Sequence, residues 1–352
     1  MQSSKKPSPP LPHMFERYRS EIAKTLRTSI SDLQLKEIPN LLKYHLGWVD
    51  QEGNMSQTAS SQGKALRPTL CMFACDALNG DISGAVLGAA ALELIHNFSL
   101  IHDDIQDQDI ERRHQSTVWS IWGVPKALVA GDAMQAVGDL TALMTIESGV
   151  PVNVVLKVSE ILTESYLEMI EGQCLDLQFE TRTDISAEDY LGMVGRKTGA
   201  LLRSSVHIGA LIATDNTDIT DAFSEFGSHI GRAFQIRDDY LGIWGDASET
   251  GKSNDNDIRR RKKSFPVVYG FEHASGSAKE ELISIYNKEI DNDDDVAKVM
   301  TILEDVGAPQ YSGHITEKSA ELALSSISAI DLPHWVDQEI GDLINFLVNR
   351  QY

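Results

Sequence analysis

The chain has 352 residues and a strongly acidic composition, with 31 Lys and Arg against 52 Asp and Glu and a formal net charge of −21. Such a surface repels a phosphate backbone, so the composition argues against a nucleic-acid-binding protein and we expect no nucleic-acid partner. Hydrophobic residues make up 42% and charged residues 24%, the balance of a globular protein with a sizeable core. We find no apolar run of the roughly 18 residues that span a bilayer, and we expect no transmembrane segment.

The chain start and the cysteines bear on domain organisation and compartment. Residues 1–12 contain four of the eleven prolines and lack the apolar core of a secretory signal. We therefore expect a disordered tail at 1–12, followed by a single helical domain at 13–352. Cys71 and Cys75 lie four residues apart without a second pair of metal ligands, which is typical of small buried side chains in a reducing compartment. The cytoplasm fits this pattern.

The hydrophobic periodicity predicts helices. Apolar residues recur at three- and four-residue spacing in the segments 84–102, 127–147, 153–171, 188–212 and 221–244. Helical segments follow several breaks that end in proline, namely Pro68, Pro151, Pro309 and Pro333. Ser186 followed by Asp189 resembles an N-terminal helix cap. Strict alternation is scarce, so the sequence predicts an all-α protein, with exposed loops at 49–62 and 291–295.

A first group of carboxylates follows an apolar helical segment. The stretch LIHDDIQDQDIERR places aspartates at 103, 104, 107 and 109, and the helical turn puts Asp103 and Asp107 on one face with Asp104 beside them. Two carboxylates near 4 Å repel by roughly 4 kcal/mol at an effective dielectric constant near 20. Oxygen ligands with room for water and phosphate suit Mg²⁺. Taken alone, the group is equally typical of a solvated helix end paired with Arg112 and Arg113.

A second aspartate pair, Asp238 and Asp239, follows another long apolar period and has Arg237 beside it. Two helices that each offer an aspartate pair can hold a diphosphate through bridging magnesium ions. One such pair is weak evidence, because chance supplies many. Two pairs, each after a buried helical segment, favour a metal–diphosphate site.

Basic residues lie near both acidic groups. In this acidic chain they are candidate phosphate ligands: Lys64, Arg67, Arg112, Arg113, Lys197 and Lys252. The sequence TGKS at 250–253 lacks the glycine spacing and the preceding strand of a P-loop. The basic run at 259–263 is short and lies in an acidic context, which favours a solvated helix end over a nucleic-acid patch.

Seven motifs follow one another in a fixed order. They are GKALRP at 63–68, HDDIQD at 102–107, ERR at 111–113, EGQCLDL at 171–177, KTGAL at 197–201, FQIRDD at 234–239 and the GK…D…KKSFP stretch that ends at 266. Over about 35–275, this series resembles the trans-isoprenyl diphosphate synthases of the farnesyl and geranylgeranyl type. The resemblance implies the isoprenoid synthase fold, an antiparallel helix bundle around a deep central cavity, and a homodimer.

The resemblance also implies residue roles. It assigns magnesium to Asp103, Asp104, Asp107 and Asp238, with Asp239 supporting them. It assigns isopentenyl diphosphate to Lys64, Arg67, His96 and Arg113. It assigns the allylic diphosphate to Arg112, Lys197 and Lys252, with Thr198, Gln235 and Lys262 close by. Gln173 and Asp176 match motif positions in the same polar cavity.

The implied activity is a magnesium-dependent condensation of isopentenyl diphosphate with an allylic diphosphate. Three magnesium ions are expected in each substrate-bound active site. Charge on the departing diphosphate is stabilised by the metal and by cationic side chains, so that the allylic C–O bond ionises. Asp103, Asp104, Lys197 and Asp238 are the expected catalytic residues. The double bond of isopentenyl diphosphate attacks the resulting cation, and the released diphosphate takes the final proton.

Three positions depart from the family pattern. Gly242 stands where many relatives have a third aspartate in the second motif, although Asp246 lies one turn further on. His114 replaces the usual glycine after the arginine pair, and Ala65 replaces a common arginine within GKALRP. The altered second motif is the departure that bears on metal geometry.

Phe98 bears on product length, because it lies five residues before Asp103, about 7.5 Å along the helix. In relatives a bulky group at this position closes the tunnel for the growing chain, so we expect a C20 or C15 product, geranylgeranyl or farnesyl diphosphate. The alternative is that Phe98 is an ordinary core residue. Two rival functions are a terpene cyclase on the same fold and a non-catalytic regulatory subunit of a prenyl diphosphate synthase. The cyclase is disfavoured because it has no second diphosphate to bind with Lys64, Arg67, His96 and Arg113, and the subunit because it could lose the aspartates that are present here.

Overall fold

The computed structural model describes residues 9–31, 33, 35, 37–56, 63–245 and 256–350. Up to the middle of the chain the α-helices are α1 Met14–Arg17, α2 Arg19–Ser31, α3 Glu37–His45, α4 Leu66–Ala77, α5 Ile82–Gln106, α6 Val118–Trp122, α7 Val124–Leu143 and α8 Val152–Phe179. They continue as α9 Ala187–Val194, α10 Ala200–Ala213, α11 Thr217–Trp244, α12 Asn256–Arg259, α13 Phe265–His273, α14 Gly276–Tyr286, α15 Asp293–Asp305, α16 Ala308–Ile327 and α17 His334–Asn349. A 3₁₀ turn at Met144–Ser148 extends α7, and a π-helical turn at Gly195–Gly199 joins α9 to α10.

The all-α prediction is confirmed. Four of the five periodic segments fall on α5, α7, α8 and α11, whereas 188–212 covers α9, the π-helical turn and α10. The described residues also contain a two-stranded antiparallel hairpin, β1 Glu111–Arg112 and β2 Gln115–Ser116, which the sequence did not reveal. Two residues per strand are too few to show alternation.

The prediction of an exposed loop at 291–295 is wrong for most of that segment. Asn292 caps α15 by accepting a hydrogen bond from the backbone N–H of Asp295, and Asp293 to Asp295 form the first helical turn. Carboxylates are favourable there because they face the positive end of the helix dipole. Asp295 is buried, and its carboxylate pairs with Lys288 at 2.6 Å.

The chain divides into two compact units, each named here after its central helix. The α5 unit comprises His13–Tyr166 and Ser204–Asp221. The α11 unit comprises the described residues of Met1–Pro12, Leu167–Arg203 and Ala222–Tyr352. The single domain expected at 13–352 stays a prediction, and residues 1–8 of the expected tail lie outside the described residues.

Small side chains let the helices of the α5 unit approach closely. Helix α5 begins at its N-cap Asp81, whose carboxylate accepts from the backbone N–H of Ser83, and its middle turns are rich in buried alanine and glycine. On α10, a Cβ added at Gly209 would lie 2.1 Å from the backbone oxygen of Cys71. Cys71 and Cys75 are buried free thiols, as the sequence predicted. This packing fixes the direction in which α5 carries its carboxylates.

Helix α5 is also long and apolar enough to cross a membrane, which no other helix among the described residues matches. Within the protein, however, 72% of its apolar window is buried. That burial is typical of the core helix of a folded domain.

The α11 unit has two apolar clusters. One packs Tyr190 and Val194 of α9 against Ile236 of α11 and Phe265 of α13. The other joins α13, α14 and α15 around Phe271, Leu282 and Leu303. Helix α9 begins with the predicted cap, in which Ser186 and Asp189 satisfy each other's backbone N–H groups as a capping box. These contacts hold α9, α11 and α13 around a group of charged side chains.

Candidate active site

The first aspartate group lies at the carboxyl end of α5. Asp103 and Asp104 are in its last turn, and Asp107 is the C-cap, whose N–H donates to the backbone oxygen of Asp103. The negative end of the helix dipole adds to the mutual repulsion of these carboxylates. Asp103 is half-buried and Asp107 is exposed, so a solvated divalent cation has access to their carboxylates.

Asp104 has a different environment from its neighbours. Its side chain is 2% exposed and accepts a hydrogen bond from Nε of Arg112 at 2.6 Å. Burial raises the pKa of Asp104 to about 6, although Arg112 opposes that shift. Asp104 therefore forms a buried ion pair with the first arginine of the ERR motif.

The hairpin after α5 contains one departure from the family pattern, His114. Its two-residue turn consists of Arg113 and His114, at φ values of 53° and 61°. Both values lie in the left-handed region that glycine adopts without cost and other residues at roughly 1–2 kcal/mol. His114 thus occupies a position whose backbone favours glycine. Gln115 and Ser116 fasten the hairpin to α3 through Tyr44, at 3.1 and 2.7 Å.

The first residue of the GKALRP segment, Gly63, leaves space for the side chain of Arg113. A Cβ added at Gly63 would lie 2.7 Å from Nη2 of Arg113, closer than real Cβ contacts. The guanidinium therefore occupies space that Gly63 leaves open. Lys64 follows in an exposed position, and Arg67 lies in the first turn of α4.

Two histidines lie among these arginines. Burial and then Arg113 and Arg112 lower the pKa of His45 to about 3. Burial and then Arg67 and Arg113 hold the pKa of His96 well below its usual range. Both rings are neutral at physiological pH, because protonation would add a buried charge beside existing cations. The buried Nε2 of His45 finds no hydrogen-bond partner among the described residues.

His45 was not found by the sequence analysis. It lines a small, partly open pocket together with Asp104, Arg112, Arg113 and Gln115. The arginines make this pocket strongly attractive to an anion. The only sequence signal for His45 was its place at the end of the helical period before the GKALRP segment.

Phe98 is buried in the α5 unit, at 3% exposure. Its ring makes edge contacts with Tyr166 at 6.2 Å and with His102 at 5.7 Å between centroids. The ring of His102 occupies the space beside Gly131, where a side chain would clash. A Cβ at position 131 would lie 2.2 Å from Nε2 of His102. The expected role of Phe98 in product length stays a prediction.

The second aspartate pair is on α11, in the other unit, and its two members differ sharply. Asp239 is 0% exposed. It accepts hydrogen bonds from the hydroxyl of Tyr190, from Nε2 of Gln235 at 3.0 Å and from the N–H of Phe265 at 3.1 Å. Burial raises the pKa of Asp239. This carboxylate is enclosed by protein donors, in keeping with a supporting role.

Asp238, in contrast, has a side chain that is 45% exposed and pairs with Nη2 of Arg350. Arg350 is itself 4% exposed, donates to the backbone oxygen of Phe234 at 3.1 Å and stacks 4.3 Å above the Phe234 ring. Its own backbone oxygen accepts from Nε of Arg237 at 3.0 Å. Arg350 was not among the predicted site residues, because this contact joins residues 112 positions apart. The signal in the sequence that could have pointed to Arg350 was its position as a single arginine directly after the apolar period of α17.

Lys197 is presented by the π-helical turn at Gly195–Gly199 and pairs with Asp176. Gly172, in the GQxxDL-like motif, makes this possible, because a Cβ there would lie 2.3 Å from the backbone nitrogen of Lys197. Thr198 donates to Oε1 of Gln235 at 2.8 Å. The structure thus brings Lys197, Thr198, Gln235 and Asp176 together as expected from the motifs.

Lys262 has two carboxylate neighbours. Its Nζ lies 3.5 Å from Oδ1 of Asp239 and 3.6 Å from Oδ2 of Asp257. These charges raise the pKa of Lys262, with Asp257 the largest cause. Asp257 was not among the predicted site residues. Lys252 and Asp246 lie outside the described residues.

Within each unit, contacts therefore join part of the predicted set: Asp104 with Arg112, Lys197 with Asp176, Thr198 with Gln235, and Asp239 with Gln235 and Lys262. The expectation that the two aspartate groups hold one diphosphate stays a prediction. Over the described ranges, no three His, Cys, Asp or Glu side chains converge as a ready-made metal site. The donors present still suit Mg²⁺, which takes few protein carboxylates and completes its octahedron with water and phosphate oxygens.

The low pKa of His45 predicts a pH-dependent stability. The unfolded chain takes up this proton near pH 6.5, but the native chain takes it up only near pH 3. The free energy of unfolding therefore falls on acidification below pH 6.5, by up to about 1.4 kcal/mol per pH unit from this residue. His45→Gln removes that contribution. Between pH 6.5 and pH 5 the free energy of unfolding of this variant should therefore fall by about 1–2 kcal/mol less than that of the wild type.

Urea unfolding at the two pH values measures this difference. The matched control is His314→Gln, which removes an exposed histidine on α16 and is expected to keep the wild-type pH dependence. Identical pH dependence of His45→Gln and the wild type would contradict the buried neutral ring.

Comparison with known proteins agrees with these motifs. Residues 51–303 match the family model for polyprenyl synthetases. The chain is 36% identical over 333 residues to a (2E,6E)-farnesyl diphosphate synthase of Mycobacterium tuberculosis, covering 94% of this chain and 90% of that protein. It is 33% identical over 343 residues to a geranylgeranyl diphosphate synthase of Sulfolobus acidocaldarius, covering 96% and 99%.

Solved structures show the same similarity in three dimensions. A polyprenyl synthetase from Streptomyces coelicolor A3(2) superposes with a TM-score of 0.88 at 33% identity, over 95% of this chain and 98% of that one. A geranylgeranyl pyrophosphate synthetase from Pyrococcus horikoshii gives a TM-score of 0.85 at 31% identity, over 96% and 98%. The chain therefore has the isoprenoid synthase fold and belongs to the polyprenyl synthetase family of trans-isoprenyl diphosphate synthases.

Proposed function

We propose that this protein is a short-chain trans-prenyltransferase that condenses isopentenyl diphosphate with an allylic diphosphate. The observation that carries the proposal is the presence of two cationic groups, one in each unit. The α5 unit places Arg67, Arg112 and Arg113 around His45 and His96. The α11 unit places Lys197 and Lys262 around Asp176 and Asp239. An enzyme that joins two diphosphates needs two anion sites, whereas a terpene cyclase needs one.

The proposed residue roles follow the motifs and do not coincide with the two groups, because Arg112 belongs to the α5 unit but is assigned to the allylic diphosphate. Lys64, Arg67, His96 and Arg113 bind isopentenyl diphosphate, and Arg112, Lys197 and Lys252 hold the allylic diphosphate with Thr198, Gln235 and Lys262. Cationic side chains stabilise the negative charge that builds on the allylic diphosphate as its C–O bond breaks. The double bond of isopentenyl diphosphate, held in reacting geometry, then forms the new C–C bond. The released diphosphate removes the proton that regenerates a double bond.

We propose Mg²⁺ as the metal, with three ions in the substrate-bound site, held by Asp103, Asp104, Asp107 and Asp238. When bound, magnesium supplies positive charge to the leaving diphosphate. Asp103 and Asp107 offer oxygen atoms at the negative end of α5. Asp104 orients Arg112, and Asp239 orients Gln235 and Lys262. Arg350 pairs with Asp238, so metal binding there must displace or share this guanidinium.

A direct assay tests the function. Purified protein is incubated with Mg²⁺, labelled isopentenyl diphosphate and allylic primers of increasing length, and products are separated by chain length. We expect chain-extended products, lost when the metal is chelated. Asp103→Asn and Asp238→Asn should each lower kcat by on the order of 10²–10³-fold, because each removes charge that acts on the leaving group. Asp294→Asn, on an exposed turn of α15, is the control and keeps wild-type activity.

The other outcomes of this assay identify the rival functions. Cyclic hydrocarbons formed without incorporation of isopentenyl units would make the protein a terpene cyclase. A folded protein with no turnover on any primer would make it a regulatory subunit.

We propose a C20 or C15 product, on the basis of Phe98. Phe98→Ala should lengthen the main product by one or more five-carbon units, because the space of the ring becomes available to the growing chain. The substitution also costs about 3–5 kcal/mol of stability, so Phe226→Ala, another buried phenylalanine, controls for destabilisation. An unchanged product distribution would show that Phe98 is an ordinary core residue.

We propose that the protein is a homodimer through the outer face of α7 and the start of α8. Val129, Leu140 and Leu143 lie eleven and fourteen residues apart, hence on one helical face, and all are exposed. Leu140 is 59% and Leu156 is 61% exposed. A second copy of this chain is the expected partner. Light scattering should give twice the chain mass and one chain mass for Leu140→Glu/Leu156→Glu; a monomeric wild type would contradict the proposal.

We place the protein in the cytoplasm. Cys174 is an exposed free thiol, and Cys71 and Cys75 are free as well. Reduced thiols of this kind persist in a reducing compartment. Fractionation of the cell would locate the protein, and recovery outside the soluble cytoplasmic fraction would overturn this assignment.

A further inference from the structure

Gly242 marks a position where the second aspartate motif lacks a side chain. It lies four residues after Asp238 on α11, so the two positions share one face of the helix. A Cβ added at Gly242 would lie 2.3 Å from Oδ2 and 2.6 Å from Cγ of Asp257. Real Cβ atoms do not approach other atoms so closely. The space beside Gly242 is therefore occupied by the carboxylate of Asp257, which comes from α12.

The carboxylate of Asp257 also lies close to the ammonium group of Lys262. Oδ2 of Asp257 lies 3.6 Å from Nζ of Lys262, and Oδ1 of Asp239 lies 3.5 Å from the same atom. The backbone oxygen of Asp257 also accepts from the N–H of Lys262 at 2.9 Å. Asp257 thus holds Lys262 at both its backbone and its ammonium group. Asp257 and Asp239 therefore both pair with this ammonium.

We propose that Asp257 supplies, from a different helix, the carboxylate that the second motif lacks at Gly242, and that it positions the ammonium of Lys262 for a diphosphate. This inference rests on the proposed function, in which Lys262 lies beside the allylic diphosphate. Asp257 is a positioning residue, because it acts through Lys262. Gly242 is its counterpart, since a Cβ at 242 would lie 2.3 Å from Oδ2 of Asp257 and the carboxylate that contacts Lys262 would have to shift.

The test exchanges the carboxylate between the two positions. The variants are Asp257→Ala, Gly242→Asp and the double variant Gly242→Asp/Asp257→Ala. The first readout is the dissociation constant of inorganic pyrophosphate in the presence of Mg²⁺, by calorimetry. Asp257→Ala should weaken binding about 10–100-fold, the usual effect of losing an orienting partner. Gly242→Asp should also weaken it, because it adds a clash and a like charge beside Asp257.

The double variant is the decisive test of the inference. Asp257→Ala has no carboxylate at this place and Gly242→Asp has two, whereas the double variant has one. We expect it to bind pyrophosphate at least 10-fold more tightly than Asp257→Ala. Gly341→Asp, which adds the same side chain to a helical glycine with nothing within 4 Å, is the control and keeps wild-type affinity. Asp257→Asn, which keeps the shape and removes the charge, replaces Asp257→Ala if the latter fails to fold.

A second readout separates positioning from general damage. The KM for the allylic diphosphate should rise in both single variants and recover in the double variant, while the KM for isopentenyl diphosphate stays unchanged. A double variant that binds no better than Asp257→Ala, or an Asp257→Ala protein with wild-type affinity, would overturn the inference. Pyrophosphate binding is measured without turnover, so failure of the proposed function would show separately, as a wild-type protein that binds pyrophosphate but extends no primer.

Discussion

Several carboxylates lie close together at the ends of buried helical segments and repel one another. The need for positive charge beside them is the constraint on which the rest of this structure depends. At the carboxyl end of α5, three aspartates face the negative end of the helix dipole within five residues. On α11, Asp238 and Asp239 lie beside Asp176 and Asp257 in the charge environment of Lys262. Such groups are tolerated only with positive charge close by. The protein supplies part of it through Arg112, Lys197, Lys262 and Arg350, and a metal–diphosphate complex is suited to supply the remainder.

Three glycines determine where those cations and one carboxylate lie. Gly63 leaves space for the guanidinium of Arg113, Gly172 for the backbone of Lys197, and Gly242 for the carboxylate of Asp257. In each case a Cβ would lie within 2.7 Å of the neighbouring group. Charged side chains are long and flexible, so a fixed position requires a close-packed neighbour. These three glycines are therefore part of the site, although they have no side chain that could bind substrate or metal.

Periodicity and caps were enough to predict most of the fold. The helices α5, α7, α8 and α11 follow the apolar spacing, and the Ser186 cap has the predicted geometry. The motifs also identified the residues that gather in each unit. Two local features could not be read in this way. The hairpin at 111–116 depends on two residues in left-handed conformation, and the π-helical turn at 195–199 packs against Gly172, which lies on another helix.

The remaining site residues were missed for physical reasons as well. Arg350 reaches Asp238 across 112 positions of sequence, and Asp257 reaches Gly242 from a separate helix. Such contacts arise from tertiary packing and leave no local pattern. His45 carries no motif, and its neutral ring follows only from burial among arginines. The aspartates at 293–295 were misjudged because a run of acids at a helix start has the composition of a loop.

The proposed reaction requires above all that both aspartate groups bind divalent cation together with pyrophosphate. Electron paramagnetic resonance of Mn²⁺, used in place of Mg²⁺, counts the bound ions directly. We expect the protein to retain more Mn²⁺ when inorganic pyrophosphate is added, and Asp103→Asn and Asp238→Asn each to retain less than the wild type. A count that pyrophosphate does not change, or that neither substitution lowers, would contradict the claim.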